Sequence, residues 1–288
     1  LIHHRVRPLR YWPVIGQASF SFQDHIVMTK RLTSALLACV LLGSSAAHAQ
    51  KAPPPVQLSL LGSGGVVSAM QAIVVEYEKA TGIKVTVLPS PAIGDNPMAI
   101  SSRLERGERA DLVLTEDAAL NKLIQLGEVQ REPRVDVGKS FIAMAVRQGE
   151  AKPDIGSVDA FRKTLLDARS LAYSNSTSGL YLSHLLFPRM KLTEQLREKS
   201  SLVDNEPVGA AVARGDVQLG FQQLSELKAV PGIDIVGLIP DAVQKMTLYS
   251  GGVTRTSAHP EEAAALLQYL STPAARLAIQ ESGLTPVH

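Results

Sequence analysis

The stretch LSLLGSGGVVSAMQAIVVEYEKATG, residues 58–82, decides how the chain is read. Leu58, Leu60 and Leu61 form a short apolar run that stops at Gly62-Ser63-Gly64-Gly65. Beyond it Val66, Met70, Ile73, Val74 and Tyr77 recur every three to four residues, the spacing of one helical face. Gly82, directly after Thr81, can take the left-handed conformation that closes a helix. The stretch therefore reads as strand, small-residue turn and amphipathic helix. Such a turn leaves backbone N–H groups beside the positive end of the helix dipole, where an anion can sit.

Outward from this unit the same alternation continues. Residues 83–88 (IKVTVL) read as a strand running into Pro89-Ser90-Pro91. The polar loop Gly94-Asp95-Asn96-Pro97 introduces a helix over 98–106, closed by Gly107. Residues 111–115 (DLVLT) read as a buried strand and 116–126 as a helix stopped by Gly127. The order β-α-β-α-β-α is that of a parallel sheet covered by helices. The charged, Pro133-containing segment 130–138 reads as a break.

A second series follows: strands at 141–146, 170–173, 217–221 and 233–239, with helices at 158–168, 180–190 and 206–214. Residues 248–253 read as a strand crossing back to the first half, and 260–270 and 273–282 as terminal helices with Pro in the first turn. The strand at 170–173 ends in Ser174-Asn175-Ser176-Thr177-Ser178-Gly179, repeating the plan of the opening unit in the other half of the chain. Two α/β lobes of this kind bind ligand outside the carboxyl ends of their strands. Both turns are thus expected to line one cleft.

The 288 residues include an expected leader. From Met28, a basic start (Lys30, Arg31), an apolar run and Ala47-His48-Ala49 have the form of a secretory signal over 28–49, so export to the periplasm is expected. A lipoprotein cut before Cys39 is the less favoured alternative. Residues 1–27 read as an upstream extension. Without residues 1–49, 24 basic side chains face 26 acidic ones, a net charge of −2 that gives no footprint for nucleic acid. The only cysteine, Cys39, falls in the leader, which removes disulfides and thiolate chemistry from the rest. No other apolar run is long enough for a transmembrane anchor.

The candidate ligand-binding residues are Ser63, Gly64, Gly65, Ser90, Asn96, Thr115, Ser174, Asn175, Ser176, Thr177, Ser178, Gln222 and Gln223. These amides and hydroxyls can donate to a charged ligand at about 1.5–3 kcal/mol each. His184, Asp95, Glu116 and Glu226 are the candidate proton-transfer groups, although carboxylates at element ends also serve as caps. No Walker loop, HExxH, GxSxG or dinucleotide fingerprint is present, and no metal or cofactor is expected.

Several segments carry a resemblance. VEYEKATGIKV (75–85), RLERGERADLVLTED (103–117), RGDVQLG (214–220) and the closing PEEAA (260–264) resemble the molybdate-type periplasmic solute-binding proteins over most of 56–284. That resemblance implies a two-lobed α/β periplasmic-binding-protein fold of type II. Each lobe would be a mixed, mostly parallel sheet flanked by helices, with ligand in the interlobe cleft. Lobe one would comprise 56–137 and 249–288, and lobe two 138–248. It also implies an ABC permease as partner, and a monomer is expected.

Where those proteins place ligating serines and a tyrosine, this sequence has Gly65, Pro97 and Gln223, so molybdate is not the expected ligand. Ser63, Ser101 or Thr115 could offer hydroxyls from shifted positions. The favoured expectation is an exported protein capturing a small anion, an oxyanion or a di- or tricarboxylate, for an importer. The alternative follows a second resemblance, to the aconitate isomerase-like branch of the same family. It is an enzyme moving a double bond by cofactor-free proton transfer.

Overall fold

The computed structural model describes residues 55–92, 96–204 and 206–288. The expected extension 1–27, the signal 28–49 with Cys39, and Asp95 lie outside the described residues. The chain opens with β1 (Gln57–Gly62), α1 (Gly64–Thr81), β2 (Lys84–Pro89) and α2 (Ile100–Glu105). It continues through β3 (Leu112–Glu116), α3 (Asp117–Gln125) and the long β4 (Val129–Ser140). A second set holds β5 (Ile142–Arg147), α4 (Val158–Asp167), β6 (Leu171–Ser174) and α5 (Thr177–Tyr181). After a π-helical turn over Leu182–Leu186 come α6 (Phe187–Arg189), α7 (Thr193–Arg197) and β7 (Ser200–Val203). Next are α8 (Val208–Arg214), β8 (Leu219–Gln223), α9 (Leu224–Leu227) and β9 (Ile233–Leu238). The chain then returns through β10 (Thr247–Thr254), α10 (Pro260–Tyr269), α11 (Pro273–Glu281) and β11 (Thr285–Pro286).

Two sheets result, of order β11-β4-β10-β3-β1-β2 and β7-β6-β8-β5-β9. β1 runs parallel to β2 and β3, and β6 parallel to β7 and β8, as the β-α-β units require. The remaining pairings, made by β4, β5, β9, β10 and β11, are antiparallel. The fold is the expected mixed α/β one with helices flanking both sheets, but the sheets are not mostly parallel: the parallel strands β3-β1-β2 and β8-β6-β7 occupy one edge of each. The apolar face read from the sequence is buried: Val66, Met70, Ile73 and Tyr77 of α1 pack with Leu58, Leu60, Leu112 and Leu114. The second sheet has its own core around Phe161, Leu165, Phe221 and Met144. Gly82 caps α1 at φ 75°, and its N–H donates to the Glu78 carbonyl.

Two local readings are corrected and one strand the sequence did not show is added. The segment 130–138 is not a break but the middle of β4, paired with β10. Its charges satisfy one another there: the Arg134 guanidinium holds Asp117 and Asp136, and Ser250 donates to Asp136 at 2.7 Å. The helix read over 180–190 starts earlier, at Thr177, and loosens into the π turn. Pro188 has no N–H to give to the His184 carbonyl, which interrupts the regular ladder. Finally β7, an edge strand with Leu202 exposed, has too few apolar residues to stand out in the sequence.

Candidate functional site

A cleft of about 480 Å³ lies between the two sheets. From the six-stranded side come Ser63 after β1, Ser90 after β2, and Glu116 at the end of β3. Opposite them stand Ser174 at the end of β6, Asn175, Ser176, and Gln222 near the end of β8. These are the carboxyl ends of parallel strands in both sheets, where open α/β sheets take their ligands.

Two glycines at the start of α1 have specific reasons. A side-chain carbon on Gly64 would come within 2.9 Å of Oε1 of Glu226, which is carried by α9 and lines the cleft. One on Gly65 would run into the hydroxyl and ring of Tyr249. The small-residue turn is therefore the seat of a carboxyl and a phenol that reach it from far along the chain. Gly65 itself does not line the cleft; Tyr249, fully buried, covers it. That corrects its assignment as a ligand contact.

The electrostatics follow from burial. Loss of water pushes the Glu226 carboxyl up to about 7, the charge of Glu116 adds to the rise, and a hydrogen bond from the Gln222 amide opposes it. Gln222 is oriented for that role, because its Oε1 accepts from the Val208 N–H at 3.0 Å and leaves its NH₂ free to donate. Glu116 is also raised, chiefly by burial; the Thr177 hydroxyl, which donates to it across the cleft, and Lys245 both pull the other way. Burial, then the charges of Glu226 and Glu116, push the Tyr249 phenol far up, so it remains a neutral O–H. The result is an interacting group of three titratable side chains, with the Glu226 carboxyl pushed up to about 7.

The remaining candidates are distributed unevenly. Ser63 is buried, lines the cleft, and its Oγ has no partner among the described residues. Ser174, Ser176 and Ser178 form a hydroxyl chain, with Oγ separations of 2.7 and 3.2 Å, of which Ser178 is the rearmost and off the lining. Asn96 is exposed and uses its Oδ1 to accept from the Met98 N–H, a local turn rather than a ligand contact. Thr115 is buried behind the surface, and Gln223 donates to Thr247 at 2.9 Å, so neither reaches the cleft. His184 is exposed on the π turn and off the cleft, which removes it from the proton-transfer candidates.

Sequence reasoning missed Tyr249, whose only signal was its place in a returning strand. It also missed Asp204 and Glu206, which give the cleft two more carboxylates. Among the described residues lining the cleft there is no Lys or Arg. No group of three or more metal-ligating side chains occurs among the described residues, and no helix there is long and apolar enough to cross a membrane.

Two mixed sheets enclosing a cleft at their strand ends define a solute-binding-protein fold. The chain belongs to the family described as bacterial extracellular solute-binding proteins, whose family profile matches residues 58–285. It is 55% identical over 260 residues to an aconitate isomerase from Pseudomonas sp., an alignment covering 90% of this chain and 98% of the relative. Among solved structures it is similar to the periplasmic molybdate-binding protein of Azotobacter vinelandii, with TM-score 0.64 and 18% identity. That match covers 80% of this chain and 100% of the other. It is equally similar to a sulfate-binding protein from Mycobacterium tuberculosis, with TM-score 0.64 and 18% identity over 81% of this chain and 87% of that one.

Proposed function

We propose that this protein is an isomerase that interconverts trans- and cis-aconitate, with Glu226 as the group that carries the proton. The observation that carries the reading is the Glu226 carboxyl. It is lodged against the start of α1 in the cleft, faces a second carboxyl, and titrates near 7. A general base is most effective when its pKa lies near the working pH. This reverses the order of the two expectations drawn from the sequence. A cleft built only to hold an anion gains nothing from a carboxyl at its best anion seat.

The proposed step balances without a cofactor. The ionised Glu226 takes a proton from the methylene carbon next to the double bond. The electron pair spreads over the three-carbon allyl unit and its terminal carboxylates. Glu226 then returns the proton to the former vinylic carbon, so the double bond shifts by one position. Hydroxyls of Ser63, Ser174 and Ser176 and the Asn175 amide, which line the cleft, would hold the substrate carboxylates and stabilise charge as it develops.

The 55% identity to an aconitate isomerase supports the substrate. The decisive experiment is incubation of the pure protein with trans-aconitate in D₂O, followed by proton NMR. Appearance of the cis isomer with turnover is the expected result; its absence at any enzyme concentration overturns the reading.

The family match favours a second reading, capture of a small anion for an ABC permease in the periplasm. Saturable binding of tricarboxylate without turnover would select it. In both readings 56–137 with 249–288 and 138–248 act as the two lobes of the cleft.

A further inference from the structure

The absence of any lysine or arginine from the described cleft lining raises the question of how a carboxylate-bearing substrate is attracted there at all. Two cations stand one residue back in the hydrogen-bond network: Arg214, whose guanidinium is taken up by the cleft residue Glu206 and by Asp216, and Arg103. Arg103, on α2, is only 6% exposed, and its Nη1 donates to Oγ of the cleft residue Ser90 at 2.5 Å. Its other face is fixed: Nε donates to Glu108 at 2.9 Å, and Nη2 pairs with the same carboxylate. The guanidinium thus has one orientation, and that orientation fills an acceptor position of the Ser90 oxygen.

The Ser90 hydroxyl proton is then the part left to be placed. Within the protein its acceptor is the Leu88 carbonyl at 3.4 Å, well beyond the usual O–H···O distance of about 2.5–3.0 Å. The Ser90 backbone is held separately, its N–H donating to the Gly62 carbonyl at 2.9 Å, so the side chain stays at the mouth of β2 beside Ser63. A hydroxyl that accepts from a cation polarises and becomes a stronger donor.

Resting on the isomerase reading, we infer that Arg103 is a positioning residue: it turns Ser90 into an obligate hydrogen-bond donor toward a carboxylate of the tricarboxylate substrate. The charge that recruits the anion is thereby relayed through a neutral hydroxyl. A bare cation does not enter the cleft, where it would pair with Glu116 or Glu226 and disable them.

The test is a double-variant cycle of Ser90→Ala and Arg103→Gln on the full chain. Two readouts are used: calorimetric binding of propane-1,2,3-tricarboxylate, the saturated and unreactive analogue, and kcat and KM for trans-aconitate. Each single variant is expected to weaken analogue binding about tenfold or more and to raise KM with kcat nearly unchanged. In the Ser90→Ala background, Arg103→Gln is expected to cost nothing further.

Additive losses would show that Arg103 acts by holding the loop and would overturn the inference. Should Arg103→Gln fail to fold, Ser90→Ala alone decides: unchanged binding overturns it. Turnover with an additive cycle removes Arg103 and leaves the isomerase reading intact. Binding without turnover removes the isomerase while the cycle still decides on Arg103. A wild-type protein that binds no tricarboxylate overturns both.

Discussion

Oε1 of Glu226 lies 2.9 Å from the point a side-chain carbon would occupy on Gly64, so a side chain on the first residue of α1 and the carboxyl proposed to carry the proton are mutually exclusive claims on one space. A Gly64→Ala variant should fold, because the obstructing atoms are the far end of a flexible side chain, but it should push the carboxyl aside. Displacement of a reacting group by about 1 Å can reduce turnover on the order of a hundredfold. We expect kcat for aconitate to fall by roughly that factor with the melting temperature almost unchanged. Unchanged kcat in the folded variant would refute the placement.

Gly65→Ser should behave differently. The new side chain meets the ring and hydroxyl of buried Tyr249, which cannot swing away. Overpacking of this kind destabilises by about 1–3 kcal/mol, or roughly 3–10 °C in melting temperature for a chain of this size. Restoring the serine found in molybdate binders is also expected to restore no molybdate binding, since Tyr249 stands over the position. Thermal denaturation with and without molybdate checks both statements.

Replacement of the proposed base is expected to give the sharpest catalytic loss. Glu226→Gln keeps the shape and removes the proton acceptor, so kcat should drop about 10²–10⁴-fold. The same variant should be more stable than wild type at pH 8. A carboxyl raised in the folded state to about 7 binds protons more tightly folded than unfolded, so wild-type stability falls as pH rises from the ordinary carboxylate range through 7. The loss is up to about 3 kcal/mol and is absent in the glutamine variant. Denaturant titrations at pH 5 and pH 8 on both proteins measure it.

The pH profile of kcat/KM should rise through about 7, because in the proposed step only ionised Glu226 takes the substrate proton. The charge of Glu116 contributes to that value, so Glu116→Gln should move the rise to lower pH. A rise that stays in place would mean that the two carboxyls do not interact.

Much of this could be read from the chain, and the misses share a cause. Residues 58–82 show their strand, turn and helix through local spacing, and the second turn at 174–179 shows itself by repeating that plan. Local patterns also placed Glu116 and Glu226 at element ends, where both in fact line the cleft. What Gly64 and Gly65 are for was not legible, because their partners Glu226 and Tyr249 belong to α9 and β10. β4 was hidden for a similar reason: Arg134 and Asp136 look like loop residues until Asp117 and Ser250 are seen to satisfy them. Arg103 falls in the helix read over 98–106 with nothing to single it out; only packing shows it buried behind Ser90.

A last measurement follows from the two raised carboxyls of the cleft, Glu116 and Glu226. A bound tricarboxylate brings more negative charge beside them, which favours their protonated forms. Binding of propane-1,2,3-tricarboxylate at pH 7.5 should therefore take up a measurable fraction of a proton, shared between the two. Calorimetry in two buffers of different ionisation enthalpy reads that number directly; a value of zero would contradict the coupling.

The carboxyl set against the start of α1 also bears on departure. Proteins that deliver cargo profit from grip, and a free helix start offers it. In the proposed cycle each return of Glu226 to its ionised state places a like charge against the product, and every 1.4 kcal/mol of that repulsion shortens residence about tenfold. The feature that makes the cleft a poor trap is the one that lets it empty, so the same scaffold can begin another cycle.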